Sequence, residues 1–171
     1  MRLFTTLSLL VSLSALLACS SEAPSDQYVN RRLPMTNFYT VEGDLLSSES
    51  FKGKPTVVAF WAEWCPGSRS RIPDYNELAG DPRLVGRVNF YAVGLDEEKD
   101  FEKYERFKKE EGLSNLKHFF SGNGGADQAK DAWLVDKLPH FFVINTQGVL
   151  VMHTHSVSAV EELLYEQLVR E

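Results

Sequence analysis

Cys65 is the residue around which the sequence gathers the features of a reactive centre. It follows an apolar, β-branched and aromatic run over residues 56–61 and precedes a segment, residues 69–79, that is predicted to be helical. A cysteine between a buried strand and a helix lies beside unpaired backbone N–H groups and the positive end of the helix dipole, which stabilise the nucleophilic thiolate. Ser68, one turn on, is placed to donate a hydrogen bond to the sulfur, and Arg69 adds positive charge on the same side. The spacing predicts Cys65 as a nucleophile, with Ser68 and Arg69 as modulators of its thiolate.

The elements that must position Cys65 alternate between buried strands and helices. The runs at residues 56–61 and 88–93 are apolar enough for strands that are buried on both faces of a sheet. Pro73, inside the first predicted helix, indicates a bend or a break there. The other predicted elements are two helices, a hairpin and a last helix, at residues 96–111, 126–133, 141–152 and 158–168. This order predicts a mixed α/β sheet covered by helices.

Three segments together resemble thioredoxin, and most closely the TlpA-like thiol–disulfide oxidoreductases of the bacterial envelope. They are the motif at residues 61–67 (WAEWCPG), the preceding Gly-Lys-Pro at residues 53–55, and the Leu-Pro at residues 138–139 ahead of the hairpin. The resemblance extends over residues 36–170. It implies a thioredoxin-like fold with a central mixed β-sheet flanked by helices.

The resemblance also implies a substrate-binding groove beside the cysteine. Pro139 corresponds to the cis-proline that faces the active-site cysteine in this family, and proline is the residue type that readily adopts a cis peptide bond. Leu138 belongs to the same groove, and we expect Trp64 and Pro66 to contribute to the substrate-binding surface around Cys65.

The motif departs from the family pattern at three positions. The second motif cysteine of the family falls on Ser68, an acidic residue found three positions later falls on Arg71, and the buried aspartate of thioredoxin falls on Ala59. A dithiol enzyme uses its second sulfur to resolve the mixed disulfide formed by the first. With serine at position 68, Cys65 is either a monothiol nucleophile resolved by an external thiol or part of a binding module without turnover.

In a third interpretation, Cys65 is a ligand of a metal ion. Cu(I) favours thiolate and thioether ligands, and Met152, His153 and His155 are candidates to accompany the cysteine. Residues 153 and 155 would point to the same face of a strand, although strand histidines are usually exposed or hydrogen-bonded. His140 is expected to be a histidine packed at the start of a strand. The sequence predicts no cofactor.

The N-terminal residues predict export and a lipid anchor. Residues 1–18 have one positive charge, a short apolar segment and a small residue at the end, as a secretory signal peptide does. The Leu-Leu-Ala-Cys at residues 16–19 resembles the lipobox of bacterial lipoproteins, which implies cleavage before Cys19 and lipidation of that residue. Ser20 after the cysteine resembles outer-membrane sorting in Gram-negative bacteria.

The remaining chain divides into a linker and one domain. Residues 20–35 are polar and contain prolines, so residues 19–35 are predicted to be the lipidated cysteine and a flexible tether. Residues 36–171 form the predicted thioredoxin-like domain. The predicted location is the cell envelope, on the periplasmic side and attached to the membrane through Cys19.

Composition and charge restrict the partners. The 171 residues carry 18 basic and 24 acidic side chains, a formal net charge of −6. Nucleic-acid binding depends on basic patches that neutralise phosphates, so this class is excluded. The expected partner is an envelope protein or a small thiol substrate.

Overall fold

The fold is organised around a five-stranded mixed sheet. A computed structural model of the chain describes residues 23–168. The strand order is β5-β4-β3-β6-β7, in which β3, β4 and β5 run parallel and β6 and β7 are antiparallel to their neighbours. The strands of this sheet are β3 (Thr56–Trp61), β4 (Asn89–Gly94), β5 (Lys117–Phe120), β6 (His140–Ile144) and β7 (Leu150–Thr154). A separate antiparallel pair is formed by β1 (Asn37–Tyr39) and β2 (Leu45–Ser47).

Helices cover this central sheet. They are α1 (Pro66–Ala79), α2 (Phe101–Glu110), α3 (Gln128–Ala132) and α4 (Val157–Leu168). The predicted α/β class with a central mixed sheet flanked by helices is confirmed. None of the helices within residues 23–168 combines the length and the apolar character that crossing a membrane requires.

The central strand β3 separates two hydrophobic cores. All six of its residues are buried, and successive side chains point to opposite faces. Val57, Ala59 and Trp61 belong to one core, with side chains of α1, α2 and α4, and Val58 and Phe60 belong to the other. The second core is rich in aromatic rings and contains Phe38, Phe51, Phe119, Trp133 and Phe142. The near-continuous apolar run of the sequence is therefore explained by burial on both faces.

Two short strands and the course of the first helix differ from the predictions. β2 and β5 were not predicted, because each offers only three or four residues of pattern. Helix α1 continues through Pro73 from residue 66 to residue 79, without the predicted break. Its buried side chains, among them Ile72 and Tyr75, pack on the sheet, and this packing outweighs the local cost of the proline.

The prediction of a flexible tether is wrong for residues 24–34, which pack on the domain. The Ser25 hydroxyl is buried and lies within hydrogen-bonding distance of the carbonyls of Trp133 (3.2 Å) and Leu134 (2.9 Å). The backbone of Asn30 donates to Leu150 O, and Leu150 N donates in turn to Arg31 O. Polar composition suggested a linker, but here the polar groups satisfy backbone carbonyls and N–H groups at the edge of the fold. The predicted signal peptide and Cys19 lie outside the described residues.

The indole of Trp133 joins this N-terminal segment to the second core. Its ring is fully buried, and its Nε1–H lies 3.1 Å from Pro34 O and 3.0 Å from Thr36 Oγ1. We expect Trp133→Phe to lower the free energy of unfolding by about 2 kcal/mol, because the substitution removes the hydrogen bonds of a buried indole and leaves part of its space in the core empty. Trp64→Phe is the matched control. The Trp64 side chain is exposed, so its replacement should change the free energy by less than about 0.5 kcal/mol. Urea denaturation of both variants measures the difference, and equal effects would contradict the assignment.

Candidate functional site

Cys65 is the N-cap residue of α1 and faces the loop that precedes β6. Its backbone is extended (φ −90°, ψ 114°), and Pro66 occupies the first helical position, where a proline costs no hydrogen bond. The thiol donates to the Leu138 carbonyl at 3.7 Å. The Leu138–Pro139 peptide bond is cis, so the prediction of a cis-proline at this position is confirmed. The structure thus brings together the cysteine and the two loop residues that the sequence assigned to a groove.

Gly67 lets three groups approach one another beside the sulfur. A Cβ atom at this residue would lie 3.2 Å from Leu138 O, 3.4 Å from Arg71 Nη1 and 3.8 Å from Cys65 Sγ. The first distance is tighter than ordinary van der Waals contact, so a side chain here would push the loop away from the helix. The absence of a Cβ is what keeps the Leu138 carbonyl against the start of α1.

The structure shows which groups contact the guanidinium of Arg69. Its Nη1 lies 2.6 Å from Glu63 Oε1, and its guanidinium covers the Phe107 ring at 4.8 Å. Arg69 is therefore engaged by a carboxylate and an aromatic ring, and its effect on the Cys65 thiolate stays a prediction. Arg71, which the sequence did not single out for the site, donates through Nη1 to Gly67 O at 3.2 Å in the first turn of α1.

Ser68 has a structural contact that the sequence did not reveal. Its side chain is fully buried, and its hydroxyl accepts a hydrogen bond from Ala62 N at 3.2 Å. The oxygen thus ties the first turn of α1 to the end of β3. The hydroxyl proton is left to donate elsewhere, so a hydrogen bond to the Cys65 thiolate stays a prediction.

The predicted substrate-binding residues fall into two groups. The half-buried Leu138 accepts from the Cys65 thiol through its carbonyl, and the buried Pro139 follows it in the chain. Trp64 and Pro66 instead line an open cleft together with Phe107 and Arg69. The Trp64 indole is 62% exposed, which is unusual for so large an apolar side chain and makes it available to a partner.

Asp96 positions the loop that carries the motif. Its buried carboxylate accepts the backbone N–H of Glu63, with distances of 3.0 and 3.1 Å to the two oxygens. Burial raises the pKa of Asp96 to about 6, against the lowering effect of its backbone hydrogen bonds to Glu63 and Trp64. Asp96 was not among the residues predicted for the site. The signal was available: Asp96 and Glu63 each follow by two residues the ends of the parallel strands β4 and β3, which are in register there.

Three histidines lie together on the other side of the cis-proline. His140 is fully buried at the start of β6, as expected, and its ring is 4.4 Å from that of His155 and 5.1 Å from that of His153. Burial lowers the pKa of His140 to about 3, helped by the neighbouring His155 and His153, so the ring is neutral at neutral pH.

The structure does not assemble the predicted Cu(I) site. His153 bonds to His140 on one side and to Asp26 on the other, so neither of its nitrogens is directed to Cys65. The side chains that do converge within residues 23–168 are Asp136, His140 and His155. The reason is the strand pairing, because β6 and β7 place these rings around His140 rather than around the cysteine.

Comparison with known proteins identifies the family. Residues 29–153 match the AhpC/TSA family. The chain belongs to this family. The match covers the whole sheet up to β7, and so it includes the Cys65 motif, the cis-proline loop and the part of the N-terminal segment from residue 29 onward.

Named relatives of this AhpC/TSA chain are thioredoxin-like and thiol:disulfide interchange proteins. The DsbE protein of Pseudomonas fluorescens is 34% identical over 71 residues, which cover 41% of this chain and 39% of that protein. The DsbE protein of Vibrio cholerae is 29% identical over 63% of this chain and 53% of its own length. The chloroplast thioredoxin-like protein HCF164 of Arabidopsis thaliana is 28% identical over 61% and 37%. The chain thus matches about half or less of the length of these relatives.

Solved structures establish the thioredoxin-like fold. A thiol-disulfide oxidoreductase from Bacteroides fragilis superposes with a TM-score of 0.70 at 19% identity, covering 80% of this chain and 99% of that one. The C-terminal domain of a thiol-disulfide oxidoreductase from Bacteroides thetaiotaomicron gives 0.73 at 14% identity, with 84% and 97% coverage. At these identities the likeness concerns the fold alone.

The raised pKa of Asp96 predicts a pH-dependent effect of Asp96→Asn. The folded protein favours the protonated carboxyl, so this group stabilises the wild type most below pH 4 and does so less as the pH rises through 6. Asparagine does not titrate. The quantity to compare is the free energy of unfolding of the variant minus that of the wild type. This difference should be more positive at pH 8 than at pH 4.5 by about 2 kcal/mol.

Urea denaturation at the two pH values makes this measurement. Asp74→Asn, at a surface position of α1, is the control and should show a difference below about 0.5 kcal/mol. An Asp96→Asn protein that loses stability between pH 4.5 and 8 as the wild type does would contradict the role of burial.

Proposed function

We propose that this chain is a membrane-anchored, thioredoxin-like lipoprotein of the bacterial envelope that carries out thiol–disulfide exchange through the single thiol of Cys65. The observation that carries the proposal is the position of Cys65. It caps α1, where backbone N–H groups and the helix dipole favour a thiolate, and it lies against the Leu138 carbonyl beside cis-Pro139. The similarity to thiol:disulfide interchange proteins supports the same chemistry.

The proposed reaction has two balanced steps. The Cys65 thiolate attacks one sulfur of a substrate disulfide, forming a mixed disulfide and releasing the other substrate sulfur as a thiolate. An external thiol in its thiolate form then attacks the substrate sulfur of the mixed disulfide and releases the Cys65 thiolate. The net result is an exchange of thiol partners, in which the substrate disulfide is replaced by one that contains the external thiol.

The TlpA-like family has a second cysteine at the position of Ser68, and its replacement by serine determines how long the intermediate lasts. A serine hydroxyl cannot form a disulfide with Cys65, so the mixed disulfide persists until an external thiol attacks it. Arg71 is proposed to support the attacking state, because its guanidinium donates to Gly67 O in the first turn of α1, the helix that Cys65 caps, while Arg69 is paired with Glu63. The exposed indole of Trp64, next to the motif, offers a flat apolar surface to a protein substrate.

The two-cysteine motif can be restored to test the role of Ser68. Cells producing the tagged full chain are quenched with acid, and adducts of Cys65 are identified by mass spectrometry after purification without reductant. We expect protein or glutathione adducts on the wild type and none on Cys65→Ala. Ser68→Cys should reduce the adducts at least tenfold, because the introduced thiol, one helical turn away, resolves them by forming an internal disulfide with Cys65.

Two outcomes count against the monothiol reaction. One is adducts that persist equally in Ser68→Cys although its thermal denaturation shows a folded protein. The other is an unmodified Cys65 that copurifies with non-covalent partners. The second outcome favours a binding module, which the exposed Trp64 beside an open cleft also supports. In that case Cys65→Ala would leave partner binding unchanged and Trp64→Ala would weaken it.

The proposed anchor at Cys19 has a separate test. Cys19→Ala should move the protein from the membrane fraction to the soluble periplasmic fraction, because several acyl chains give stable attachment and the unmodified chain has none. Ser20→Asp is the matched variant for sorting: it should keep the lipid but shift the protein from the outer to the inner membrane of a Gram-negative host. Fractionation with immunoblotting and mass spectrometry of the N-terminal peptide measure both. A Cys19→Ala protein that stays with membranes would contradict lipid anchoring.

A further inference from the structure

A compact cluster of ionisable side chains lies beside the cis-proline loop and outside the proposed thiol site. Asp136 precedes the loop, His140 begins β6 directly after Pro139, and His155 follows β7. The carboxylate oxygen Asp136 Oδ1 lies 3.4 Å from His140 Nδ1 and 3.7 Å from His155 Nε2. One nitrogen from each ring and one carboxylate oxygen all lie within 4.8 Å of one another.

The hydrogen bonds of the cluster assign the ring tautomers. Asp26 Oδ1 accepts from His153 Nε2–H at 2.8 Å, which leaves His153 Nδ1 to accept from His140 Nε2–H at 3.0 Å. The Nδ1 atom of His140 is then an unprotonated nitrogen, 3.4 Å from Asp136 Oδ1. In the same way, His155 Nδ1–H donates to Pro139 O at 2.8 Å and leaves Nε2 unprotonated. Two unprotonated ring nitrogens therefore lie 3.4 and 3.7 Å from the same carboxylate oxygen.

His140 Nδ1 is the atom of the cluster that most clearly indicates a ligand. The side chain is completely buried, and within the described part of the chain Nδ1 has no hydrogen-bond partner. A buried polar atom without a partner costs about 1–3 kcal/mol. A proton shared with Asp136 would draw the two atoms to the 2.7–2.9 Å of a charge-assisted hydrogen bond, but they stand 3.4 Å apart.

The spacing suits a metal ion instead. A tetrahedral Zn²⁺ with ligands at about 2.0–2.1 Å separates neighbouring ligand atoms by about 3.3 Å, close to the 3.4 and 3.7 Å found here. We propose that Asp136 Oδ1, His140 Nδ1 and His155 Nε2 form a binding site for a divalent first-row transition ion such as Zn²⁺. The set of two imidazoles and one carboxylate suits such an ion better than Cu(I), which prefers sulfur, or Ca²⁺, which prefers oxygen.

The surroundings complete the arrangement of a metal centre. Metal-bound histidines commonly donate their second N–H to a carbonyl, a carboxylate or another polar group that fixes the ring. Here Pro139 O fixes His155, and His153, itself held by Asp26, fixes His140. The side chains of His155 and Asp136 are 41% and 23% exposed, so the ion can enter from solvent and a fourth position stays open to water.

Isothermal titration of the metal-stripped full chain in detergent with ZnCl₂ tests the proposal. We expect one Zn²⁺ per chain and a rise in melting temperature on binding. Asp136→Asn and His155→Gln, both at accessible positions, should weaken binding at least about 30-fold, beyond the lower end of the effects found for supporting residues. Asp131→Asn, an exposed carboxylate outside the cluster, is the matched control and should bind as the wild type does. Circular dichroism establishes that each variant is folded.

The variant Cys65→Ala separates this site from the thiol chemistry. It should bind Zn²⁺ with unchanged affinity, whatever the trapping experiments show for the cysteine. The absence of saturable binding, or equal affinity in Asp136→Asn and the wild type, would overturn the site. Loss of binding in Cys65→Ala would overturn it as well, because the ion would then belong to the thiol.

Discussion

The burial of β3 on both faces determines where every functional group of this protein lies. Because β3 is flanked by parallel β4 on one side and antiparallel β6 on the other, its carboxyl end meets the carboxyl end of β4 and the amino end of β6. Asp96 therefore reaches the Glu63 N–H across one boundary, and the Leu138 carbonyl reaches the Cys65 thiol across the other. A weakening of β3 would separate the motif from both of its supports at once.

The sequence predicted those parts of the structure that rest on strong local patterns. The apolar run of β3 predicted a buried strand that ends just before Cys65, and the motif at residues 61–67 together with the Leu-Pro pair carried the resemblance that implied the fold and the cis bond at Pro139. Contacts between distant segments could not be predicted in this way. The partner of Arg69 proved to be Glu63, six residues earlier around the strand-to-helix turn, and nothing in the polar composition of residues 24–34 indicated that Ser25 and Trp133 meet.

The charges around the cysteine show why spacing along a helix is an incomplete guide. Arg69 and Arg71 are both within two turns of Cys65, yet the Arg69 guanidinium is held by a carboxylate over an aromatic ring and the Arg71 guanidinium donates to the backbone carbonyl of Gly67. Gly67 allows the Leu138 carbonyl to approach the start of α1, because a Cβ atom at this position would lie only 3.2 Å from the carbonyl oxygen. Recognition at the thiol therefore depends on backbone approach as much as on side-chain type, and the histidine cluster depends on the same loop through Pro139 O.

The packed N-terminal segment limits how far the domain can move if Cys19 carries the proposed lipid. Ser25 is buried against the domain, so only residues 20–24 separate the acylated residue from the folded body. At 3.3–3.6 Å per residue, a fully extended connection of this kind reaches only about 20 Å. With so short a connection, the domain would stay within one domain diameter of the bilayer. Cys65 would then meet its substrates close to the membrane surface, whether they are membrane proteins or small thiol compounds that diffuse there.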